Sequence, residues 1–210
     1  MIELDRTEAR IVGVLIEKQR TVPDSYPMTE NALVSGCNQK SNRDPEMSLQ
    51  AFEVAGACMA LQQREVIARV EGGGRAVKYR HRLDERLDLG DDELAVLCEL
   101  LVRGPQAPGA LKPRVQRLGF HASPAQIEAV LRGLAARQPA LVAQLPKRAR
   151  ERDHRWAHRL GPNSGVAGGE DTAGEDAVAE MHADASASAS LLERLAALEA
   201  RVEALERRLD

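Results

Sequence analysis

The hydrophobic and polar positions along the chain predict the same order of elements twice. In residues 1–85, apolar residues recur at helical spacing in three successive segments, and two short β-prone segments follow them. Asp5 and Glu8 form a predicted capping box before the first helix. Thr29 and Ser48 are the predicted N-caps of the second and third helices. The third helix is expected at 49–61, with Met47 and Phe52 as a hydrophobic staple.

The second copy of the pattern starts at Asp91, which is predicted to cap a helix. Ser123, Pro124 and Gln126 are start signals of its third helix. Strands are expected at 141–145 and, with alternating burial, at 155–160.

Helix, helix, helix, strand, loop, strand is the element order of a winged helix. We therefore predict a mainly α fold with small β wings: two tandem winged-helix domains, residues 1–85 and 90–160. A short link, 84–90, joins them. A disordered linker at 161–190 and a C-terminal coiled-coil helix at 191–210 are expected to follow.

The last fifty residues differ in composition from the rest of the chain. Residues 161–190 are rich in Gly, Ala, Ser and acidic residues and hold no Lys or Arg, which is typical of a flexible linker. Apolar positions spaced 4, 3, 4, 3 and 4 then form a heptad seam. The predicted seam residues are Leu191, Leu195, Leu198, Val202, Leu205 and Leu209. Arg at the g positions and Glu at the e positions favour a parallel homodimer. A lone amphipathic helix, or one docked on its own domains, is the alternative.

Composition narrows the class of protein. Aromatic residues make up only 2% of the chain, which argues against modules that stack bases on aromatic platforms. No apolar run is long enough to span a membrane, and the N-terminus does not resemble a signal peptide. Cys37, Cys58 and Cys98 are too widely spaced for a disulfide framework or a CxxC site. We expect a cytoplasmic bacterial protein with no metal, no cofactor and no membrane contact.

Charge is unevenly distributed along the chain. Residues 86–160 hold 13 Lys and Arg against 8 Asp and Glu, whereas residues 161–210 hold 4 against 11. Residues 1–85 are close to neutral, with 12 against 13. The overall net charge of −3 therefore conceals a basic middle segment. Contact with nucleic acid, if present, is expected in that segment.

Two segments are similar to the signature of a known family. They are Val22–Leu33 (VPDSYPMTENAL) and Cys37–Met47 (CNQKSNRDPEM). They resemble the YceH family of uncharacterised bacterial tandem winged-helix proteins, and the resemblance covers roughly residues 3–160. It implies the fold and no particular reaction, because the family has no settled function. The linker and the heptad seam lie outside the resemblance.

The candidate DNA contacts are cations and amides in predicted loops, wings and recognition helices. They are Lys40, Arg43, Arg75, Lys78, Gln126, Arg132, Lys147, Arg148, Arg150 and Arg152. The 37–47 loop has a second interpretation, in which its Asx residues cap helices and satisfy loop backbone. The second wing, 146–154, follows DNA phosphates or is simply a solvated loop.

Catalysis has little support in the sequence. The chain has no G-x-S-x-G, H-E-x-x-H or P-loop motif, and His154 and His158 lack further metal ligands. We therefore expect no enzyme and weigh two functions. One is a dimeric transcriptional regulator that binds double-stranded DNA. The other is a protein–protein interaction scaffold, because the predicted helix 49–61 is mostly apolar and holds no cation.

Overall fold

Helices dominate the computed structural model, which describes residues 2–70, 77–149 and 151–161. The helices are α1 Arg6–Thr21, α2 Glu30–Cys37, α3 Ala51–Gln63, α4 Leu83–Leu87, α5 Asp91–Arg103, α6 Pro108–Arg117 and α7 Pro124–Ala136. The strands are β1 Met28–Thr29, β2 Ile67–Val70, β3 Lys78–His81, β4 Val142–Gln144 and β5 Trp156–His158. The predicted linker and heptad seam, 161–190 and 191–210, lie outside the described residues except for Gly161.

The strands form two small antiparallel sheets in the described part of the chain. The first has the order β1-β3-β2, with Tyr79 paired to Met28 on one side and to Arg69 on the other. The second consists of β4 and β5, with Val142 opposite His158. β1 was not expected from the sequence, because a strand of two residues is too short to show a period.

Side-chain caps start several helices where the sequence predicts them. The Asp5–Glu8 capping box is present in both directions at α1. Thr29 accepts from the backbone N–H of Ala32 at α2. Ser123 begins α7 and Pro124 occupies its first turn. These starts are local interactions, so the residue order alone specifies them.

The start of α3 differs from the prediction. Gln50 is its N-cap instead of Ser48, and the backbone N–H of Gln50 donates to Glu53 Oε2 at 2.7 Å. Phe52 is 76% exposed, so it does not form the expected staple with Met47. Staple geometry requires the side chain to fold back over the helix start, and here α3 begins two residues later than expected.

Three further expectations are corrected in the link and in the second half of the described chain, residues 90–160. The predicted link contains a short helix, α4, which ends at Asp88 with a positive φ of 50°. Gly90 is the N-cap of α5, and Asp91 is its first helical residue. All three residues of β5 are buried, so this strand does not alternate. Trp156 packs into the core while Ala157 and His158 are also covered.

Helices α1 and α5 pack antiparallel, with Arg20 beside Asp91 and Gly13 beside Val102. They join the first half, residues 1–85, to the second half in one hydrophobic core. The approach is close at Gly13, where an added Cβ would lie 2.6 Å from Val102 Cγ1. The buried thiol of Cys98 donates to the Gly13 carbonyl at 3.4 Å. Near the two limits of the described residues, the backbone N–H of Leu4 donates to Leu160 O at 2.5 Å. The core therefore extends without a break from the first predicted domain into the second.

Candidate nucleic-acid interface

Hydrogen bonds among the described residues close the β4–β5 loop, residues 145–155, at its base and between residues 148 and 151. The backbone N–H of Glu151 donates to Arg148 O at 3.1 Å, and the N–H of Arg148 donates to Glu151 Oε2 at 3.0 Å. At the base of the loop, the N–H of Leu145 donates to Arg155 O at 2.8 Å. The hydrogen bond from Arg148 holds the pKa of Glu151 below its usual value. These hydrogen bonds hold the backbone from which the side chains of Arg148 and Glu151 project.

The cations of this loop are exposed and close in sequence. Lys147, Arg148 and Arg152 all face solvent, and Lys147 Nζ donates to the carbonyl of Arg152 at 2.6 Å. Glu151 is neutralised from within the loop, since its Oε1 lies 2.8 Å from Arg155 Nε. The pair takes up one acid and one cation together, so the net charge of the loop is unchanged, and Asp153 is an exposed acid beside the three exposed cations. Arg150, also predicted as a contact, lies outside the described residues.

A groove of about 440 Å³ separates the β4–β5 loop from α6. Arg152 and Arg155 line one side, and Ala110 and Arg114 line the other. Arg114 Nη1 donates to Gln106 Oε1, which holds this arginine against the chain. The groove joins the loop to α6 through a lining of mixed charge, since Asp44, Glu151 and Asp153 line it beside the arginines.

Lys112 on α6 is a cation that sequence reasoning missed. It is exposed, and the described part of the chain offers it no hydrogen-bond or ion-pair partner. The signal was present, because Lys112, Arg114 and Arg117 occupy one ten-residue helix that contains no acid. A helix with that composition favours an anionic neighbour.

The two predicted contacts on α7, Gln126 and Arg132, already have partners within the protein. The side chain of Gln126 completes the cap of α7, where its Oε1 accepts from the Ser123 N–H at 2.9 Å. Its amide NH2 group is left to donate elsewhere. Arg132 is 72% exposed at its side chain, and its Nε lies 3.2 Å from Glu128 Oε1. Glu128 also accepts from Trp156 Nε1 at 3.3 Å, so this acid is held near the helix surface.

The α2–α3 loop exposes one of its two predicted cations and buries the other. Lys40 is exposed. Arg43 is buried, with none of its side chain exposed, and its Nη2 lies 2.5 Å from Glu17 Oε2. Its Nε donates to Gly36 O at 3.0 Å and its Nη1 to Asn42 O at 2.7 Å. The structure therefore removes Arg43 from the predicted phosphate contacts, because its donors are used inside the protein.

Arg43 belongs to a buried ionic network between the two halves. Glu17 also accepts from Arg117 Nη2 at 2.8 Å, and Glu99 Oε2 lies 3.3 Å from Arg103 Nε. Arg117 reaches Glu99 as well, at 3.5 Å. Burial raises the pKa of Glu99, and the positive charges of Arg117 and Arg103 only partly offset this. Burial also acts to raise the pKa of Glu17, but the hydrogen bond and charge of Arg43 bring it below its usual value.

The amides of the α2–α3 loop also have internal partners. Asn38 Nδ2 donates to Leu49 O at 2.8 Å, and Asn38 Oδ1 accepts from the Leu49 N–H at 2.8 Å. Asn42 has a positive φ of 62° and accepts from Arg103 through its Oδ1. For Asn38 the structure fits the second interpretation, in which Asx side chains cap helices and satisfy loop backbone, whereas the Asn42 side chain bonds to an arginine of α5.

The first half offers few cations near its own loop and helix. α3 exposes Phe52 and Met59, at 76% and 64%, and contains no Lys or Arg. Lys78 is exposed at the start of β3. Arg75 lies outside the described residues.

The cysteines lie in the core, as the sequence predicts for Cys37. Burial raises the pKa of Cys37 and Cys58 to about 12, and that of Cys98 well above its usual value. Thiols with such pKa values are poor nucleophiles near neutral pH. Within residues 2–70, 77–149 and 151–161, no cluster of three His, Cys, Asp or Glu side chains is placed to hold a metal ion.

The fold and surface define a mainly helical protein with small antiparallel sheets and one exposed basic loop. In the part of the chain that is described, no helix is both long and apolar enough to cross a membrane. The chain belongs to the family described as "Protein of unknown function, DUF480", which it matches over residues 4–151. The expected membership of an uncharacterised bacterial family is confirmed at this level.

Several relatives share the name "UPF0502 protein". The chain is 48% identical to one from Pelobacter propionicus over 158 residues, covering 75% of this chain and 72% of the relative. It is 42% identical to one from Geobacter sulfurreducens over 204 residues, covering 97% and 90%. It is 37% identical to one from Chromobacterium violaceum over 205 residues, covering 97% and 88%. The last two alignments reach into residues 161–210, so similarity to relatives extends beyond the range that the sequence resemblance indicated.

Proposed function

We propose that this protein is a DNA-binding transcriptional regulator of the bacterial cytoplasm, built from two tandem winged-helix domains. The element order supports this, since α1–α3 with β2 and β3, and α5–α7 with β4 and β5, both follow the winged-helix pattern. The resemblance to the YceH family implies the same arrangement. The β2–β3 and β4–β5 loops are then the wings, and α3 and α7 occupy the positions of recognition helices. In this proposal the protein acts by binding, without catalysis.

The observation that carries the proposal is the exposed positive charge of the β4–β5 loop. Lys147, Arg148 and Arg152 lie on one loop, in which Glu151 pairs with Arg155 and Asp153 is the remaining acid. Lys112 adds a fourth exposed cation on the neighbouring helix α6. Side chains of this type bind phosphate oxygens and set the position of a protein on a duplex. The second half therefore makes the main contact with the DNA backbone.

Base contacts in this proposal come from α7. The free NH2 group of Gln126 donates to an acceptor on a base edge while its Oε1 continues to cap the helix. Arg132 exchanges an exposed pair with Glu128 for a contact with DNA, and pairs of this kind contribute little to stability. The exposed face of α7 near them carries small residues such as Ala129 and Gly133, so a duplex can approach the helix backbone closely.

The experiment that tests the proposal is fluorescence anisotropy of the full chain with mixed genomic DNA fragments. We expect binding at about 50 mM salt and a steep loss of affinity by about 200 mM, because several phosphate contacts release counterions. Arg148→Glu/Arg152→Glu is expected to abolish binding while its circular dichroism and Trp156 fluorescence remain those of the wild type. Unchanged affinity of that variant would remove the β4–β5 loop from the interface. No wild-type binding at the lower salt would overturn the proposal.

We further propose that the protein acts as a parallel homodimer through the heptad seam of residues 191–210. The 4, 3, 4, 3, 4 spacing of apolar residues supports this, with Arg at g facing Glu at e of the second copy. Deletion of residues 186–210 is expected to halve the mass measured by light scattering. An unchanged mass would place dimerisation elsewhere in the chain.

A second candidate function is a protein-interaction scaffold, which the surface of α3 favours. Phe52 and Met59 are large apolar side chains seven residues apart, so they lie on the same face of α3, and both are mostly exposed. Under this hypothesis Phe52→Ser/Met59→Ser abolishes capture of a partner protein. The salt-dependent anisotropy of the wild type separates the two functions, since a scaffold gives no binding to DNA.

A further inference from the structure

A cleft distinct from the β4–β5 loop groove contains a buried cation that lacks a counter-ion. Arg10 on α1 is only 2% exposed. Its Nη1 donates to Cys37 O at 3.0 Å and its Nη2 to Pro45 O at 2.7 Å. These bonds use two of its five N–H donors, and its Nε has no partner. No carboxylate in the described residues lies within ion-pair distance of Arg10, in contrast to buried Arg43, which pairs with Glu17.

An unpaired buried guanidinium is an unfavourable arrangement for folding alone. Burial lowers the pKa of Arg10 and the nearby charges of Arg43 and Arg6 lower it further, while the charge of Asp44 offsets this only in part. Removing a charge from water carries a large penalty unless an opposite charge compensates it. The two backbone carbonyls compensate only in part, because each is neutral. An anion bound beside Arg10 would complete the compensation.

The cleft beside Arg10 has a volume of about 200 Å³ and a lining of mixed polarity with an apolar part. Leu4 and Ala9 line it from the start of α1, and Leu100 and Leu101 line it from α5. Pockets for drug-sized ligands are typically larger, about 300 Å³ or more, so a smaller molecule fits here. A lining that combines this apolar part with the buried Arg10 suits an anion that has an apolar body.

His158, at the end of β5, supplies a second polar group to the same cleft. Its Nδ1 accepts from the backbone N–H of Leu160 at 3.3 Å. Burial lowers the pKa of His158 to about 4, so the ring is neutral near pH 7 and carries its proton on Nε2. That N–H is a hydrogen-bond donor without an added charge. The cleft therefore offers hydrogen-bond donors from both charged Arg10 and neutral His158.

Two acids limit which anion the cleft accepts. Asp5 and Asp44 also line it, and Asp5 Oδ1 is already engaged with the Glu8 N–H at 2.8 Å. Their charges offset those of Arg6 and Arg103, which line the cleft as well. A doubly charged anion such as phosphate would be repelled by both aspartates and would leave the apolar wall uncovered. One negative charge on an apolar body matches the lining better.

We propose that this cleft is a binding site for a small monocarboxylate, with its carboxylate accepting hydrogen bonds from Arg10 and its apolar body against Leu4, Leu100 and Leu101. The site does not depend on the proposed DNA binding. Because its walls come from α1, the α2–α3 loop and α5, an occupant contacts both halves of the core at once.

The test uses the full chain with benzoate, its neutral analogue benzamide, and inorganic phosphate. Methyl NMR of the wild type is expected to show shifts at Leu4, Leu100 and Leu101 with benzoate, and none at distant Leu61. Benzoate is expected to bind at least about tenfold more tightly than benzamide, since a charge-assisted hydrogen bond is lost in the amide. Equal binding of benzamide, binding of phosphate alone, or benzoate shifts elsewhere would each overturn the proposal.

Variants sharpen the same test. Arg10→Met is expected to lower benzoate affinity by at least about tenfold, and Lys18→Met, which removes a cation from the same helix outside the cleft, is expected to leave it unchanged. If Arg10→Met does not fold, the benzoate and benzamide shifts of the wild type decide the question. Full benzoate affinity in a folded Arg10→Met protein would contradict the assignment of the carboxylate to Arg10.

Discussion

The two halves of the molecule share an order of elements and differ in where their polar side chains go. In the first half, Arg43 and Asn38 of the α2–α3 loop point inward and bond to Glu17, Gly36 and Leu49. In the second half, Lys147, Arg148 and Arg152 of the β4–β5 loop face solvent. Equal element order therefore does not imply equal use of the surface. The polar loop of the first half stabilises the junction, and the polar loop of the second half is available for contact.

The two helices proposed for recognition, α3 and α7, differ in the same way. α3 exposes Phe52 and Met59 and has no cation, while α7 exposes Arg132 and a small, open face. We infer that a duplex contacts the second half first. The following predictions test that difference, from the largest expected effect to the smallest.

The largest effect is expected from the buried pair of the first half. Arg43→Met leaves the Glu17 carboxylate buried without its nearest partner, so we expect a loss of about 3–5 kcal/mol in the free energy of unfolding. Urea unfolding followed by the fluorescence of Trp156, the single tryptophan, measures it. The control is Arg86→Met, which breaks the exposed pair with Glu65 and is expected to cost less than about 1 kcal/mol. Equal effects of both variants would show that Arg43 is not a structural residue.

A smaller loss is expected where the halves meet. Gly13→Ala places a Cβ 2.6 Å from Val102 Cγ1, and we expect it to destabilise the protein by about 1–3 kcal/mol through overpacking. Gly56→Ala on α3 is the matched control, because an added Cβ there has nothing within 4 Å. That substitution is expected to stabilise by about 0.5–1 kcal/mol through reduced backbone freedom. A neutral Gly13→Ala would contradict close packing of α1 on α5.

Acid is expected to weaken the protein through His158. Its pKa of about 4 lies below the usual value of 6.5, so the unfolded state binds more protons between these pH values and stability falls as pH falls. At pH ~4.5 the loss from this residue is roughly 2 kcal/mol relative to pH 7. In His158→Asn, whose amide oxygen can accept from the Leu160 N–H, the loss between pH 7 and 4.5 is expected to shrink by that amount. An identical pH profile would exclude the histidine as its source.

The smallest effect is expected on the exposed face of α3. Phe52→Ser/Met59→Ser removes apolar side chains that are mostly in water, so we expect the free energy of unfolding to change by no more than about 0.5 kcal/mol per site. Urea unfolding of the double variant measures this. A larger destabilisation would mean that the two side chains are covered in solution by a second copy or another segment.

Local signals in the sequence predicted much of the fold. The capping boxes at Asp5 and Ser123, the N-cap Thr29 and the helical apolar spacing all depend on residues within one or two turns. The prediction failed where tertiary contacts decide. β1 exists only because Met28 and Thr29 pair with β3, and β5 is buried throughout because other elements cover it.

The candidate interface was less predictable than the fold. Arg43 looked like a phosphate contact because it lies in a polar loop, but its partner Glu17 is 26 residues away in the chain. The free Lys112 was overlooked, although the acid-free composition of α6 was visible. Whether a cation faces solvent depends on such distant partners, and one sequence does not specify them.

The most direct test of the central claim compares matched charge reversals in the two halves. Arg148→Glu/Arg152→Glu and Lys40→Glu/Lys78→Glu change the net charge equally, in the second and first half respectively. DNA affinity is measured by anisotropy at several salt concentrations from about 50 to 200 mM. The account predicts that the second-half variant loses most of the affinity and flattens the salt dependence, while the first-half variant stays close to wild type. Equal losses from both variants, or a larger loss from the first half, would contradict it.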